Sequence, residues 1–161
     1  MLERLLADGP QPGHEDELRL FGQFVGSWDL DCTEYAADGT SETLRGEWHF
    51  AWVLGGRAVQ DVWICPPLEH GVSLRFYDPA IGAWRSTWVG PVRRRVQTFV
   101  ARAVGDEIHL DGHTDDGVAL RWAFSDITPS SFHWRNEVAD GADGAWRLQQ
   151  TMDVRRAGAQ P

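Results

Sequence analysis

The chain has 161 residues, a formal net charge of −9 and 42% apolar residues. That length suits one domain with its own core, and the acidity argues against nucleic acid or anionic membrane surfaces as partners. All 15 basic residues are arginine, which removes lysine Schiff bases, a P-loop lysine and a lysine general base.

Residues Met1–Gly13 end in Gly9-Pro10-Gln11-Pro12-Gly13 and read as a loose lead-in. They are too short and too acidic for a signal peptide, and no apolar run reaches transmembrane length. Cys32 and Cys65 are too few for a disulfide framework, and neither has metal-site spacing. The expectation is a cytoplasmic protein with reduced thiols. A short helix is predicted over His14–Phe24: Glu15, Asp16 and Glu17 complement the helix dipole, and Leu18, Phe21, Phe24 and Val25 recur at helical spacing.

About ten strands with short turns follow. The first is Gly26–Tyr35. Glu42–Leu54 and Arg57–Cys65 flank Gly55-Gly56, a two-residue hairpin signal. Next come Val72–Tyr77, Ala83–Val89, Val92–Arg102, Glu107–Asp111, Val118–Ile127, Ser131–Val138 and Trp146–Arg155, separated by Gly-, Pro- and Asp-rich turns. The tail Ala157–Pro161 is expected to be disordered. Many short strands behind one helix favour an antiparallel up-and-down barrel, because closure removes exposed edges.

Nine tryptophans fall in these segments, each sharing parity with other large apolar residues. The glycine hairpin fixes a register in which Trp52 faces Val59, Phe50 faces Asp61 and Trp48 faces Trp63. We place that aromatic face inside. The opposite choice would bring in Glu47, His49 and Gln60. The same alternation puts Trp28, Leu30, Cys32, Leu74, Phe76, Trp84, Trp88, Leu120, Trp122, Phe124, Phe132, Trp134, Val138, Trp146, Leu148 and Met152 inward. Arg75 then points out. Tryptophan is a demanding core filler, since its N–H needs a partner. So many on inner faces imply a barrel wide enough to hold a ligand.

The polar residues on the inner face are Asp61, Ser86, Asn136 and Gln150, with Thr98 a further candidate. Asp61 is the only acid. A carboxylate among aromatic rings must find hydrogen-bond partners or take up a proton. Two readings stay open for it: a ligand-facing or catalytic group, or a structural one that sits near a barrel mouth or bonds a Trp N–H and a neighbouring amide.

Gly26-Ser27-Trp28, opening the first strand after a short helix, resembles the G-x-W signature of lipocalins and their calycin relatives. The stretch Gly46–Arg57, then Arg75-Phe76-Tyr77-Asp78 followed by Trp84-Arg85, is similar to a family of bacterial lipocalin-like proteins. The resemblance covers Phe21 to Arg155 and implies a calycin-like barrel with a ligand cavity, but no particular substrate. It also implies that Trp28 packs at the closed end. The nitrobindins, a heme-binding branch of similar size, carry their iron ligand on a late histidine. The last strand here has no histidine and His133 is assigned outward, so heme is not expected. Arg75-Phe76-Tyr77 resembles the Arg-x-Tyr pairing by which fatty-acid-binding barrels hold a carboxylate. It lies mid-chain rather than near the end, and is read as solvent-facing.

The remaining polar groups read as surface. His109 and His113 stand too far apart on a strand for a zinc pair, Arg93-Arg94-Arg95 is read as a solvated hairpin end, and the aspartates of Asp140–Gly144 as turn residues. No metal and no cofactor are expected.

The chain is therefore expected to be a monomeric or homodimeric barrel that binds a small apolar or aromatic molecule. The wall would comprise Trp48, Phe50, Trp52, Trp63, Phe76, Ser86, Trp88, Trp122, Trp134, Asn136 and Gln150. The alternative is a cofactor-independent isomerase, cyclase or hydratase with Asp61 as general acid or base. A third possibility is a filled barrel with a structural role.

Overall fold

The computed structural model describes residues 5–141 and 144–158. The helix α1 (Glu15–Gly22) precedes ten strands: β1 (Gly26–Tyr35), β2 (Ser41–Val53), β3 (Ala58–Cys65), β4 (Glu69–Asp78), β5 (Ala83–Gly90), β6 (Arg95–Val104), β7 (Glu107–His113), β8 (Ala119–Ser125), β9 (Ser131–Asp140) and β10 (Ala145–Arg156). Each strand pairs antiparallel with its neighbours in sequence, and β1 pairs with β10 to close the barrel. The expected all-β, single antiparallel barrel of about ten strands is the architecture of this chain. No described helix is long and apolar enough to cross a membrane. Residues 1–4 and 159–161, from the expected lead-in and tail, lie outside the described residues, as do 142–143 of the β9–β10 turn.

The β2–β3 hairpin has the predicted register: Trp48 opposite Trp63, Phe50 opposite Asp61, Trp52 opposite Val59. Its turn needs three consecutive left-handed residues, Leu54, Gly55 and Gly56, with φ of 54°, 64° and 80°. Glycine supplies two of these without steric cost. The lead-in expected to be loose is tied to this hairpin. The Ala7 amide donates to the Trp52 carbonyl at 2.8 Å, and the Gln11 amide to the Gly56 carbonyl at 3.0 Å.

Helix α1 plugs one end of the barrel. Leu18 and Phe21 point into it. A Cβ at Gly22 would overlap the Trp52 indole, so glycine lets the helix sit directly on that side chain. Phe21 and Phe24 interlock with Trp84, Phe124 and Phe132 at centroid distances of 4.9–5.9 Å. Trp28 is buried here, donating its N–H to the Phe24 carbonyl at 2.7 Å. The Arg156 guanidinium lies 3.8 Å from the Trp28 ring centroid and donates to the Val25, Gln23 and Pro129 carbonyls. The apolar residues of the closed end therefore form a filled core.

Three face assignments are corrected. On β4, Ser73 and Arg75 point in, whereas Leu74 and Phe76 point out and are 38% and 43% exposed. Antiparallel partners share a face, and Ser73 lies opposite the inward Asp61. On β6, Phe99 and Ala101 are inward and Thr98 is outward. On β10, a bulge between Leu148 and Gln150 inserts one residue and inverts the alternation. Trp146 is consequently outside, 37% exposed, with the Arg121 guanidinium 4.6 Å from its ring centroid. Trp146→Thr is expected to shift stability by no more than about 1 kcal/mol, the scale of an exposed cation–π contact. A larger loss in chemical denaturation would contradict the outward placement.

The outer face carries an ion-pair cluster spanning β7 to β9. Arg135 donates to both Glu107 oxygens, at 3.0 and 2.7 Å, and His109 sits 2.6 Å from the same carboxylate. Buried Ala123 lies between Arg135 and His109 in the strand register, and its small side chain lets them meet above β8. The Arg135 guanidinium, reinforced by His109, holds the Glu107 carboxyl down at about 2. The native state thus binds the Glu107 proton more weakly than the unfolded chain does. The resulting stabilisation is present above about pH 4.5 and is lost as pH falls towards 2. Glu107→Gln is expected to flatten stability against pH over that window. An unchanged acid limb would refute the assignment.

Candidate functional site

The half of the barrel away from α1 contains a cavity of about 70 Å³. A water needs roughly 10–15 Å³ by this measure, so the space admits several waters or a small organic group. Its wall includes Trp48, Trp63, Trp88, Trp122 and Trp134, contributed by β2, β3, β5, β8 and β9, together with Met152 and Gln150 of β10. The rings meet edge-on: Trp63 on Trp88 at 6.0 Å, Trp88 on Trp122 at 5.9 Å, Trp122 on Trp134 at 5.4 Å and Trp134 on Trp48 at 6.2 Å. Gly71 makes room for this ring of rings, since a Cβ there would overlap the Trp88 indole.

The wall is rich in unmet hydrogen-bonding capacity. The indole N–H groups of Trp48, Trp63, Trp122 and Trp134 are buried without an acceptor. The Ser73 hydroxyl and the Asn136 Oδ1, both on cavity-lining residues, are likewise buried without a hydrogen-bond partner. Closed-end Trp28, by contrast, has its carbonyl partner. A buried donor left unpaired costs about 1–3 kcal/mol, so a folded chain gains by bringing an acceptor here.

A polar latch spans the mouth. Glu69, almost fully buried, accepts from the backbone amides of His70 at 3.1 Å, Val92 at 2.8 Å and Arg93 at 2.9 Å. This fixes the β5–β6 turn over the opening. From that turn Arg93 donates to Glu34 of β1 at 2.7 Å, and Gln150 donates to the other Glu34 oxygen at 2.7 Å. Exposed Arg95 and half-buried Gln97 complete the rim. The arginine run read as a solvated hairpin end therefore borders the cavity.

The predicted wall residues divide into three groups. Trp48, Trp63, Trp88, Trp122, Trp134, Asn136 and Gln150 line the cavity. Phe50, Trp52 and Ser86 point inward but are outside the lining. Phe76 is on the outer surface, beside a shallow depression bordered by α1 and the hairpin turn. Sequence reasoning missed Glu69, Ser73, Arg93, Arg95 and Gln97 as members of the site.

Asp61 is fully buried and outside the cavity lining. Its carboxylate accepts from the Ser73 amide at 3.0 Å and pairs with the equally buried Arg75 guanidinium. Arg75 also lies 5.1 Å from the Phe21 ring centroid and 5.9 Å from that of Phe50. The pair joins the closed-end aromatics to the cavity floor at Ser73. Asp61 thus bonds an amide, as one sequence reading expected, but its second partner is an arginine rather than a Trp N–H. Solvent-facing Arg75 is corrected: it points inward and supplies the cation that compensates the buried Asp61 carboxylate.

Cys32 and Cys65 are buried free thiols. Hydrogen bonding with Cys65 and burial raise the Cys32 thiol far above its ordinary range, which argues against a thiolate nucleophile there. No three His, Cys, Asp or Glu side chains among the described residues are placed to hold a metal ion. His133 lies outside, 3.0 Å from Asp153.

No protein-family model matches this sequence, and no curated protein matches it significantly. Solved structures do resemble it. Rv2717c from M. tuberculosis is 15% identical, with 91% of this chain and 98% of that one aligned at a TM-score of 0.60. An S-type phycobiliprotein lyase from Guillardia theta is 14% identical, with 94% of this chain and all of that one aligned at a TM-score of 0.57. At these identities the likeness concerns fold alone. By fold, the chain is a closed ten-stranded antiparallel barrel similar to these two structures.

Proposed function

We propose that this protein binds a small aromatic or apolar molecule in the open-end cavity. One observation carries the reading: four buried tryptophans with unpaired indole N–H groups surround internal space instead of filling it. Stacking and burial supply affinity, and the polar atoms of the wall orient the ligand. With about 70 Å³ preformed, anything beyond a single ring requires the Trp rings or the β5–β6 turn to move. The isomerase, cyclase or hydratase alternative depends on Asp61, which is held by Arg75 and Ser73 away from the cavity lining.

Thermal melts against a panel of mono- and bicyclic aromatic compounds test the proposal. A ligand present at a hundredfold its Kd stabilises the folded state by about 2.7 kcal/mol. We expect at least one compound to raise the melting temperature in a saturable, concentration-dependent way. A flat response across the panel would favour a barrel without a ligand role.

A further inference from the structure

The wall's hydrogen-bonding balance narrows the ligand class. This step rests on the binding reading above. Indole N–H donates and never accepts. Among the fully buried unpaired side-chain atoms of the lining, four are indole N–H groups and one, Asn136 Oδ1, accepts without also donating. The excess of donors calls for an acceptor-rich guest.

The rim adds a charge preference. Arg95 has no ion-pair partner among the described residues. Arg93 is paired with Glu34 and also lies near Glu69, so two acids accompany the two rim arginines. The Glu69 oxygens are already occupied by three backbone amides. The rim's remaining donor capacity is cationic, on a chain whose net charge is −9. Arg95 therefore offers an incoming anion a cation that no described carboxylate already holds.

We propose that the cavity takes a planar aromatic carboxylate. Its ring lies among the indole faces, its oxygens accept from the indole N–H groups, and Arg95 attracts it at the rim. The Arg93–Glu34–Gln150 latch closes behind it. Charge-assisted hydrogen bonds are shorter and stronger than neutral ones, which separates a carboxylate from an uncharged analogue of the same shape.

The test uses the full-length protein and three matched probes: naphthoate, naphthalene and naphthylmethylammonium. Calorimetry is expected to show naphthoate binding about tenfold or more tighter than naphthalene, with the cation weakest. Naphthoate should move indole N–H resonances of Trp48, Trp63, Trp122 or Trp134 downfield in the nitrogen-15 spectrum, assigned by single Trp→Phe replacement. Arg95→Gln, at an exposed position, should erase a severalfold part of the naphthoate preference. Naphthalene binding as tightly as naphthoate would overturn this inference and leave the binding reading intact. Tight naphthoate binding with unmoved indole signals would overturn the indole role. Binding by none of the three would remove the binding reading at this size and the carboxylate inference with it.

Discussion

Replacing Arg75 with methionine is expected to lower stability by about 3–5 kcal/mol, because it leaves the Asp61 carboxylate buried and without its cation. Both side chains are essentially inaccessible to solvent, so water cannot take the place of the lost partner. The contacts of the guanidinium with Phe21 and Phe50 disappear as well. The double replacement Asp61→Leu with Arg75→Met removes both charges and is expected to recover most of the loss, as apolar replacement of buried ion pairs often does. A double-mutant cycle by chemical denaturation reads the coupling directly. Coupling near zero would mean that the two groups do not depend on one another. Asp61→Asn, the natural probe for a catalytic acid, disturbs the same pair. That variant unpairs Arg75, so any loss of function in it must be judged beside its melting temperature.

The second large effect is expected at Glu69. Glu69→Ala removes the acceptor of three backbone amides and, with it, the tie between β4 and the β5–β6 turn. Charged hydrogen bonds contribute about 1.5–3 kcal/mol each, but an exposed turn recovers part of this from water. A net loss of about 2–4 kcal/mol is therefore expected. Amide exchange should accelerate at Val92 and Arg93 well before the barrel core. Glu69→Gln should cost less, since the amide keeps one accepting oxygen. Unchanged exchange at Val92 and Arg93 in the alanine variant would show that the turn is held by something else. Because Glu69 also borders the cavity, the alanine variant separates latch stability from ligand residence time. A loosened turn should speed release more than it weakens association.

The barrel was legible because its signals are local. Two glycines set the β2–β3 register, and period-two alternation marked each strand. The failures have physical causes on particular strands. On β4, apolar Leu74 and Phe76 drew the inward assignment, and polar Ser73 and Arg75 were placed outside. The information to reverse this lay in the next turn. Tyr77 faces Trp84 across it, and inward Trp84 carries Tyr77, Arg75 and Ser73 inward in steps of two. Hydropathy misled there because a buried acid recruits a buried base. On β10 the inversion at Trp146 depends on a bulge that no alternation pattern announces. The cavity members Glu69, Arg93 and Arg95 were hidden for another reason. They gather at the rim through turns whose folding over the mouth is set by tertiary hydrogen bonds. The aromatic wall was readable from parity, but its division into a filled closed end and an open cavity was not. That division depends on how far α1 reaches into the barrel, and on where Gly71 admits Trp88.

Native mass spectrometry of the protein purified from its own host tests the binding claim most directly. A co-purified small molecule with an aromatic or apolar body is expected, and its return to the stripped protein should quench tryptophan fluorescence. A clean apo mass, with no quenching by a broad set of aromatic and apolar compounds, would contradict it.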